Sequence, residues 1–183
     1  MPQLTLDNRN WIAFKVGDIF EISTGSNISK SQLSEGRLPR ITAKATDNGV
    51  DAFTNLHVRY RLNENCVSIS FLGNAFYQPY SASYDMKIHS VKIIGKTMNP
   101  YIGLFIANQF NREFKKFSYG NQLSSTDLPK QHILLPATAD NQPDWDFMEA
   151  YMRQQELIIL KPTIEKLCNQ LKISELGGEQ DQP

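Results

Sequence analysis

The sequence has little cysteine and little histidine, with two cysteines and three histidines in 183 residues. Cys66 and Cys168 are too few for a disulfide scaffold, and they share no metal-ligand spacing. His57, His89 and His132 are scattered along the chain, so we expect no zinc site. Sparse cysteine is typical of proteins that work in a reducing compartment, and we expect a cytoplasmic location.

Long apolar runs are also missing. No stretch of about 18 apolar residues occurs, which predicts no membrane-spanning helix. The opening residues, MPQLTLDNRNW, have neither a basic start nor an apolar segment, so no signal peptide is predicted. An apolar content of 40% and a charged content of 21% are typical of a globular chain long enough for one domain with an appendage.

Catalytic signatures are scarce as well. Neither a Walker-type loop nor a Gly-x-Ser-x-Gly motif occurs. Asp85-x-Lys87 matches half of a nuclease metal motif but has no Pro-Asp pair upstream, and Asn99-Pro100-Tyr101 lacks the second proline of the amino-methyltransferase signature. An enzyme is therefore the least favoured class, and we predict no catalytic residue, no metal and no cofactor.

The overall net charge is zero, because 19 basic residues balance 19 acidic ones. The distribution is uneven. Residues 1–136 hold 15 lysines and arginines against 10 acidic residues, whereas residues 137–183 hold 4 against 9. A net charge of +5 followed by −5 permits nucleic-acid binding by the first part without requiring it.

Hydrophobic patterning predicts an α+β fold. Short strands are predicted at residues 21–23, 40–43, 66–71, 89–94 and 133–136, and apolar residues spaced by three and four predict an amphipathic helix over 101–117. Asp144 is a suitable N-cap for a helix to Leu160, which we expect Pro162 to kink or break before helical spacing resumes to Leu171. The predicted organisation is a mostly β domain over 1–140, a kinked helix or helical hairpin over 141–176, and a disordered tail over 177–183.

Polar loops that lie between the predicted strands carry the candidate binding residues. Asn48-Gly49 is a strong turn signal because both residues tolerate positive φ. Asparagine and glutamine pair with adenine edges, lysine pairs with guanine or phosphate, and tyrosine contacts the DNA backbone. Solvated turns without function remain the alternative for each loop. The candidates are Lys30, Lys44, Thr46, Asn48, Asn74, Tyr77, Gln78, Tyr84, Lys87, Asn121 and Gln122.

The order of several short segments resembles a target recognition domain of the specificity subunits of type I restriction–modification systems, including the related type IIB subunits. The matching segments, in order, are WIAFKVGDIFEISTGSNISK, RLPRITAKATDNGV, VSISFLGNAFYQPY, SYGNQLSSTDLPKQHILLP and the acidic PDWDFMEAYMRQQE. The last of these looks like the start of the family's spacer helix. The resemblance covers roughly residues 11–172, and it lies in the order of the segments rather than in any single one.

The resemblance implies a sequence-specific reader of double-stranded DNA that directs a partner methyltransferase, and possibly a restriction subunit, to its site. Catalysis and S-adenosylmethionine would then belong to the partner. Specificity subunits of this family usually carry two recognition domains and two spacer helices, so one of each predicts a half-subunit that pairs as a homodimer through its C-terminal helix. The apolar residues over 147–171 support an association surface, although they form no regular heptad and suggest short helices in a small bundle. A protein-interaction module, such as a decoy that binds the methyltransferase without reading DNA, remains the competing class.

Overall fold

The computed structural model describes residues 3–177, with side chains described as far as Leu171. Ten strands, three α-helices and four 3₁₀ turns lie within that range. The strands are β1 (Trp11–Lys15), β2 (Phe20–Thr24), β3 (Glu35–Ile41), β4 (Val50–Thr54), β5 (Leu62–Asn63), β6 (Cys66–Ser70), β7 (Ala75–Gln78), β8 (Ala82–Tyr84), β9 (Ile88–Ile93) and β10 (His132–Pro136). The helices are α1 (Val16–Ile19), α2 (Pro100–Glu113) and α3 (Trp145–Gly177), and the 3₁₀ turns are Lys30–Gln32, Asp47–Gly49, Phe114–Lys116 and Leu128–Lys130.

The strands form three sheets. β1 pairs with β10, an antiparallel sheet has the order β2-β9-β6-β7, and a mixed sheet has the order β4-β3-β8-β5. The pairing of β3 with β8 is parallel, with Arg40 opposite Ser83 and Ile41 opposite Tyr84. Mixed sheets with helices confirm the predicted α+β class.

The main hydrophobic core lies between the antiparallel sheet and α2. Asn99 caps α2, since its side chain accepts a hydrogen bond of 3.0 Å from the Ile102 N–H, and Pro100 occupies the first helical turn, where no N–H is needed. The buried face of α2 follows the predicted spacing. It contains Ile102, Phe105, Ile106 and Phe110. The α-helix ends at Glu113, and the 3₁₀ turn Phe114–Lys116 continues it.

A second, smaller core lies against the mixed sheet. It contains Ile41, Cys66, Ala82, Tyr84 and Ile88. Because β6 runs between the two cores, all five of its residues are buried, with Val67 and Ile69 in the main core and Cys66 in the smaller one. Strand β6 therefore has two buried faces, although its sequence alternates between apolar and polar residues.

Helix α3 begins as part of the core. The Asp144 carboxylate accepts a hydrogen bond of 3.0 Å from the Phe147 N–H, which confirms the predicted N-cap. Phe147 and Met148 are buried, and Tyr151 and Met152 pack against the main core. The first two turns of α3 therefore belong to the folded body (residues 3–152), so the core does not end at the predicted boundary of residue 140.

Beyond the body, α3 is one continuous helix that passes through Pro162. Of the two predicted forms, a kinked helix or a helical hairpin, the hairpin does not form. Pro162 cannot donate to the Ile158 carbonyl one turn earlier, but Ile158 is 47% exposed, so water can satisfy that oxygen. Gly177, the first residue of the predicted disordered tail, is the last residue of α3, and the rest of that tail lies outside the described residues.

The exposed part of α3 carries a regular apolar stripe once the residues that contact the body are set aside. These residues, which we name the helix seam, recur at alternating separations of three and four, and they are Leu157, Leu160, Ile164, Leu167 and Leu171. The heptad irregularity predicted from the sequence came from counting the core residues and the exposed Ile159 together with the seam. No helix among residues 3–177 combines the length and apolar character that crossing a membrane requires.

Candidate nucleic-acid interface

Two polar loops leave the mixed sheet at the same edge. The segment 42–49 follows β3, and the turn 85–87 follows β8; because these strands are parallel, their carboxyl ends coincide. The Asp85 N–H donates to the Ile41 carbonyl over 2.9 Å, which ties the second loop to the start of the first. The two loops are about forty residues apart in sequence, and the fold brings them into direct contact.

Three more loops join this edge through backbone hydrogen bonds. The Phe71 N–H donates to the Lys87 carbonyl over 3.0 Å, and the Leu123 N–H donates to the Phe71 carbonyl over 2.9 Å. The Ser26 N–H donates to the Tyr84 carbonyl over 2.8 Å. The segments 25–26, 42–49, 71–74, 85–87 and 118–122 are therefore joined at this edge, and we name them together the loop rim.

The loop 42–49 holds a tightly wound backbone. Asp47, Asn48 and Gly49 have φ of 53°, 55° and 76°, all in the left-handed region, which confirms the predicted turn at Asn48-Gly49. The Lys44 ammonium lies 2.7 Å from the Asp47 carboxylate and also donates to the Val50 carbonyl over 3.3 Å. Hydrogen bonds from Lys44 and Thr46 lower the pKa of Asp47, so its carboxylate stays ionised and keeps Lys44 folded over the loop.

Asn48 and Gln78 are hydrogen-bonded directly to each other. Gln78 is fully buried, its amide nitrogen donates to the Asn48 carbonyl over 2.8 Å, and its amide oxygen accepts from the Asn48 side chain over 3.1 Å. The same Asn48 nitrogen lies 3.2 Å from the Tyr77 carbonyl and 3.1 Å from the Tyr80 hydroxyl. These contacts occupy the donors that the prediction assigned to DNA bases.

Tyr77 and Tyr84 also lie inside the protein. The Tyr77 hydroxyl donates to the Asn65 side chain over 2.8 Å, and the Tyr84 hydroxyl lies 3.2 Å from the Cys66 thiol and donates to the Asn63 carbonyl over 3.4 Å. Burial raises the pKa of both phenols and of the Cys66 thiol, so all three stay neutral. Gln78 and Tyr84 are therefore buried beneath the rim, whereas the Tyr77 side chain packs in the main core against α2 and only its carbonyl bonds to Asn48.

Lys30 is exposed in the 3₁₀ turn Lys30–Gln32, on the segment that leads from the rim towards the start of β3. On the rim itself, Thr46 is exposed, Asn74 is half-buried, and Lys87 is exposed with its ammonium 4.4 Å from the centre of the Phe71 ring. Asn121 and Gln122 are exposed in the loop 118–122, where their side chains donate to the Lys116 and Tyr119 carbonyls over 3.1 Å and 3.2 Å. The structure therefore brings residues from four separate predicted loops onto one surface.

Sequence reasoning missed two contributors to this surface. Arg40 is 3% exposed and donates to the Asp85 carboxylate over 3.0 Å, which anchors the turn 85–87 and accounts for the acidic residue of the Asp85-x-Lys87 pattern. Its position in a strand that also holds Glu35 and Arg37 gave no signal of burial with a partner 45 residues away. Tyr119 is 79% exposed and packs edge to face on Phe71, so a rigid aromatic side chain projects from the rim. No cluster that could hold a metal ion occurs among residues 3–177.

A family comparison agrees with this architecture. The model of the type I restriction modification DNA specificity domain matches residues 8–166. The specificity subunit of the type II restriction enzyme BcgI from Heyndrickxia coagulans is 30% identical over 165 residues, which is 88% of this chain and 48% of that subunit.

Solved structures show the same fold. The S subunit of a type I restriction–modification system from M. genitalium gives a TM-score of 0.62 at 14% identity, over 95% of this chain and 45% of that one. The HsdS subunit from Thermoanaerobacter tengcongensis gives 0.57 at 17% identity, over 89% and 42%. The chain spans about half the length of these relatives. Because the family model covers most of the sequence, the chain belongs to the type I restriction modification DNA specificity domain family.

Proposed function

We propose that this chain is a non-catalytic reader of double-stranded DNA that directs a partner methyltransferase to a specific sequence. The observation that carries the proposal is the loop rim, where two of the predicted lysines, Lys44 and Lys87, share one edge of the mixed sheet with exposed and half-buried amide side chains. Such a surface combines charge for the phosphate backbone with donors and acceptors for base edges. A cytoplasmic location follows from access to cellular DNA.

The candidate DNA-contacting residues divide into two groups under this proposal. Lys30, Lys44 and Lys87 contact phosphates, which sets affinity and its salt dependence. The base-reading group comprises Thr46, Asn74, Asn121 and Gln122. Asn48, with Gln78 and Tyr84, supports these residues from below because its amide nitrogen is shared among acceptors within the chain.

The helix seam suits a second copy of the chain. Five apolar side chains at heptad spacing, each at least 44% exposed, form the stripe that two helices pack between them. Pro162 falls on the opposite side of the helix from the seam, so its missing hydrogen bond does not interrupt the stripe. We propose a homodimer through α3 that presents two rims to a bipartite site, with the methyltransferase, and possibly a restriction subunit, bound to the assembly.

The direct experiment is selection from a random duplex DNA library by the purified chain, alone and with its methyltransferase subunit. Enrichment of one short sequence, competed only weakly by unrelated duplex DNA, would support the proposal. A chain that binds the methyltransferase but enriches no sequence in either form would instead be a protein-interaction module, and the DNA-reading proposal would be lost.

A further inference from the structure

Gln78 combines complete burial with hydrogen bonds to a loop that is far away in sequence. It is the last residue of β7, opposite Cys66 of β6, and its side chain has no exposed surface. Its amide nitrogen donates to the Asn48 carbonyl over 2.8 Å and to the Ser68 hydroxyl over 3.1 Å. Ser68 donates in turn to the Phe76 carbonyl over 3.2 Å, which fixes the amide against the sheet.

The Asn48 end of this contact is a tightly wound backbone. Asp47 and Asn48 both adopt positive φ, which Asp and Asn tolerate better than other L-residues but which is sparsely populated without favourable contacts. Gln78 bonds both the carbonyl and the side-chain amide of Asn48. Paired bonds of this kind fix position and orientation together, as two-point contacts do elsewhere.

The loop held in this way carries two of the proposed DNA contacts. Lys44 and Thr46 precede Asn48 by four and two residues, and both bond to Asp47 within the same turn. A change in the Asn48 conformation would therefore move both side chains relative to the rest of the rim. Such a displacement affects base reading more than phosphate attraction, because base contacts are directional whereas phosphate contacts are largely coulombic.

We infer that Gln78 is a positioning residue, which sets DNA sequence selectivity from inside the sheet by clamping Asn48 and so fixing the loop 42–49. This inference rests on the proposed DNA-reading function. The contact between Gln78 and Asn48 is present in the protein without DNA. The effect of Gln78 on the loop and its effect on DNA selectivity can therefore be tested separately.

The test compares Gln78→Met with Gln109→Met in the intact chain bound to its methyltransferase. Methionine approximates the length of glutamine without its amide. Gln109 is a matched control because it is also buried, at 3% exposed, and its amide donates to the Leu134 carbonyl over 2.7 Å, away from the rim. Both variants lose buried hydrogen bonds, and only one of them contacts the loop.

Two measurements are made on each variant. The first is the ratio of affinities for the library-selected duplex and for an unrelated duplex. The second is hydrogen–deuterium exchange at the Thr42 amide, which donates to the Gly49 carbonyl and closes the loop, and at the Gly49 amide, which donates to the Thr46 carbonyl within it. Gln78→Met is expected to lower the affinity ratio about tenfold, the factor that corresponds to weakening one base contact, with little change for unrelated DNA. Exchange at both amides should accelerate, while Gln109→Met leaves ratio and exchange unchanged.

An unchanged affinity ratio or unchanged loop exchange in Gln78→Met would overturn the inference. If that variant does not fold, Asn48→Gly replaces it, because glycine tolerates the positive φ while removing the side-chain half of the clamp. Faster loop exchange and a lower ratio are expected there too, and wild-type values would again overturn the inference. If the wild-type chain enriches no sequence, the proposed function fails, and the exchange measurement alone decides whether Gln78 holds the loop.

Discussion

Lys44 is a charged residue of the loop rim whose side chain makes contacts within its own loop. Lys44 reaches across its own loop to Asp47, an exposed ion pair whose partners lie three residues apart. Exposed pairs of this kind add little stability, so the lysine remains available to a phosphate that can replace the carboxylate. His89, by contrast, lies inside the protein between Thr24 and the Leu123 carbonyl.

Changing Lys44 to Ala should weaken binding to every DNA sequence and reduce the slope of log affinity against log salt by about 1, because one phosphate contact is lost. Lys15→Ala is the matched control. Lys15 also pairs with an aspartate three residues later, Asp18, but lies on β1 outside the rim. Salt titrations of both variants decide the point, and equal slopes would place Lys44 outside the interface.

His89 should make the folded protein less stable as the solution is acidified. Burial lowers the pKa of its imidazole below the ordinary value of about 6.5, so around that pH the unfolded chain binds a proton that the folded chain does not. Stability from this group is therefore full above about pH 6.5 and falls as pH decreases towards the lowered folded pKa. Urea unfolding between pH 7.5 and 5 should show a steeper loss for wild type than for His89→Gln, which cannot titrate at this position.

The exposed His132 on β10 provides the control for removing a histidine. His132→Gln should keep the wild-type dependence of unfolding free energy on pH. A His89→Gln variant with the same pH dependence as wild type would assign the loss of stability to other groups.

The loop 42–49 has a defined conformation because its backbone is fixed at both ends. The Thr42 N–H donates to the Gly49 carbonyl over 3.0 Å where the loop closes, and β3 and β4 continue in antiparallel pairing beyond it. Gly49 has φ of 76° and is buried against Ile41 and Phe76. Glycine is required here both by the dihedral angle and by the space available.

Gly49→Ala should destabilise the fold by about 1–2 kcal/mol, the cost of a left-handed conformation for an L-residue, with added strain against Ile41 Cγ2 at 3.3 Å. Gly120→Ala is the control, since a Cβ there meets nothing within 4 Å. That change should be neutral or slightly stabilising. Chemical denaturation of the two variants measures the difference, and equal unfolding free energies would contradict the role given to Gly49.

The whole molecule consists of a body that completes its core with the first turns of α3 and a helix that projects beyond it. Phe147 and Met148 are buried in the body, whereas every described residue from Leu157 onward in α3 is exposed. Removing residues from 144 onward would therefore strip the core as well as the seam. A chain ending at residue 156 keeps the core contacts and should stay folded.

Leu160→Glu combined with Leu167→Glu should convert the proposed dimer to monomer, because two charges replace apolar contacts in the middle of the seam. Ile159→Glu is the control: Ile159 is 72% exposed but points away from the seam, so the dimer should persist. Sedimentation velocity distinguishes the states. A wild-type chain that stays monomeric at high concentration would leave the seam as a surface for the methyltransferase alone.

Much of the fold follows from local sequence. Asn99-Pro100 and Asp144 start helices, Asn48-Gly49 forms the turn, and apolar spacing gives the buried face of α2, because each depends on neighbours within about four residues. The same is true of the α+β class and of the order of segments that identified the family.

Only tertiary structure decided which polar residues face outward. Nothing in the sequence separates Gln78 from Asn74, or Tyr84 from Tyr119, yet Gln78 and Tyr84 are buried while Tyr119 is 79% exposed. The outcome depends on pairings across 30 to 45 residues, such as Gln78 with Asn48 and Arg40 with Asp85. A buried amide is stable only when distant partners supply its hydrogen bonds, and those partners come into place only when the strands pair.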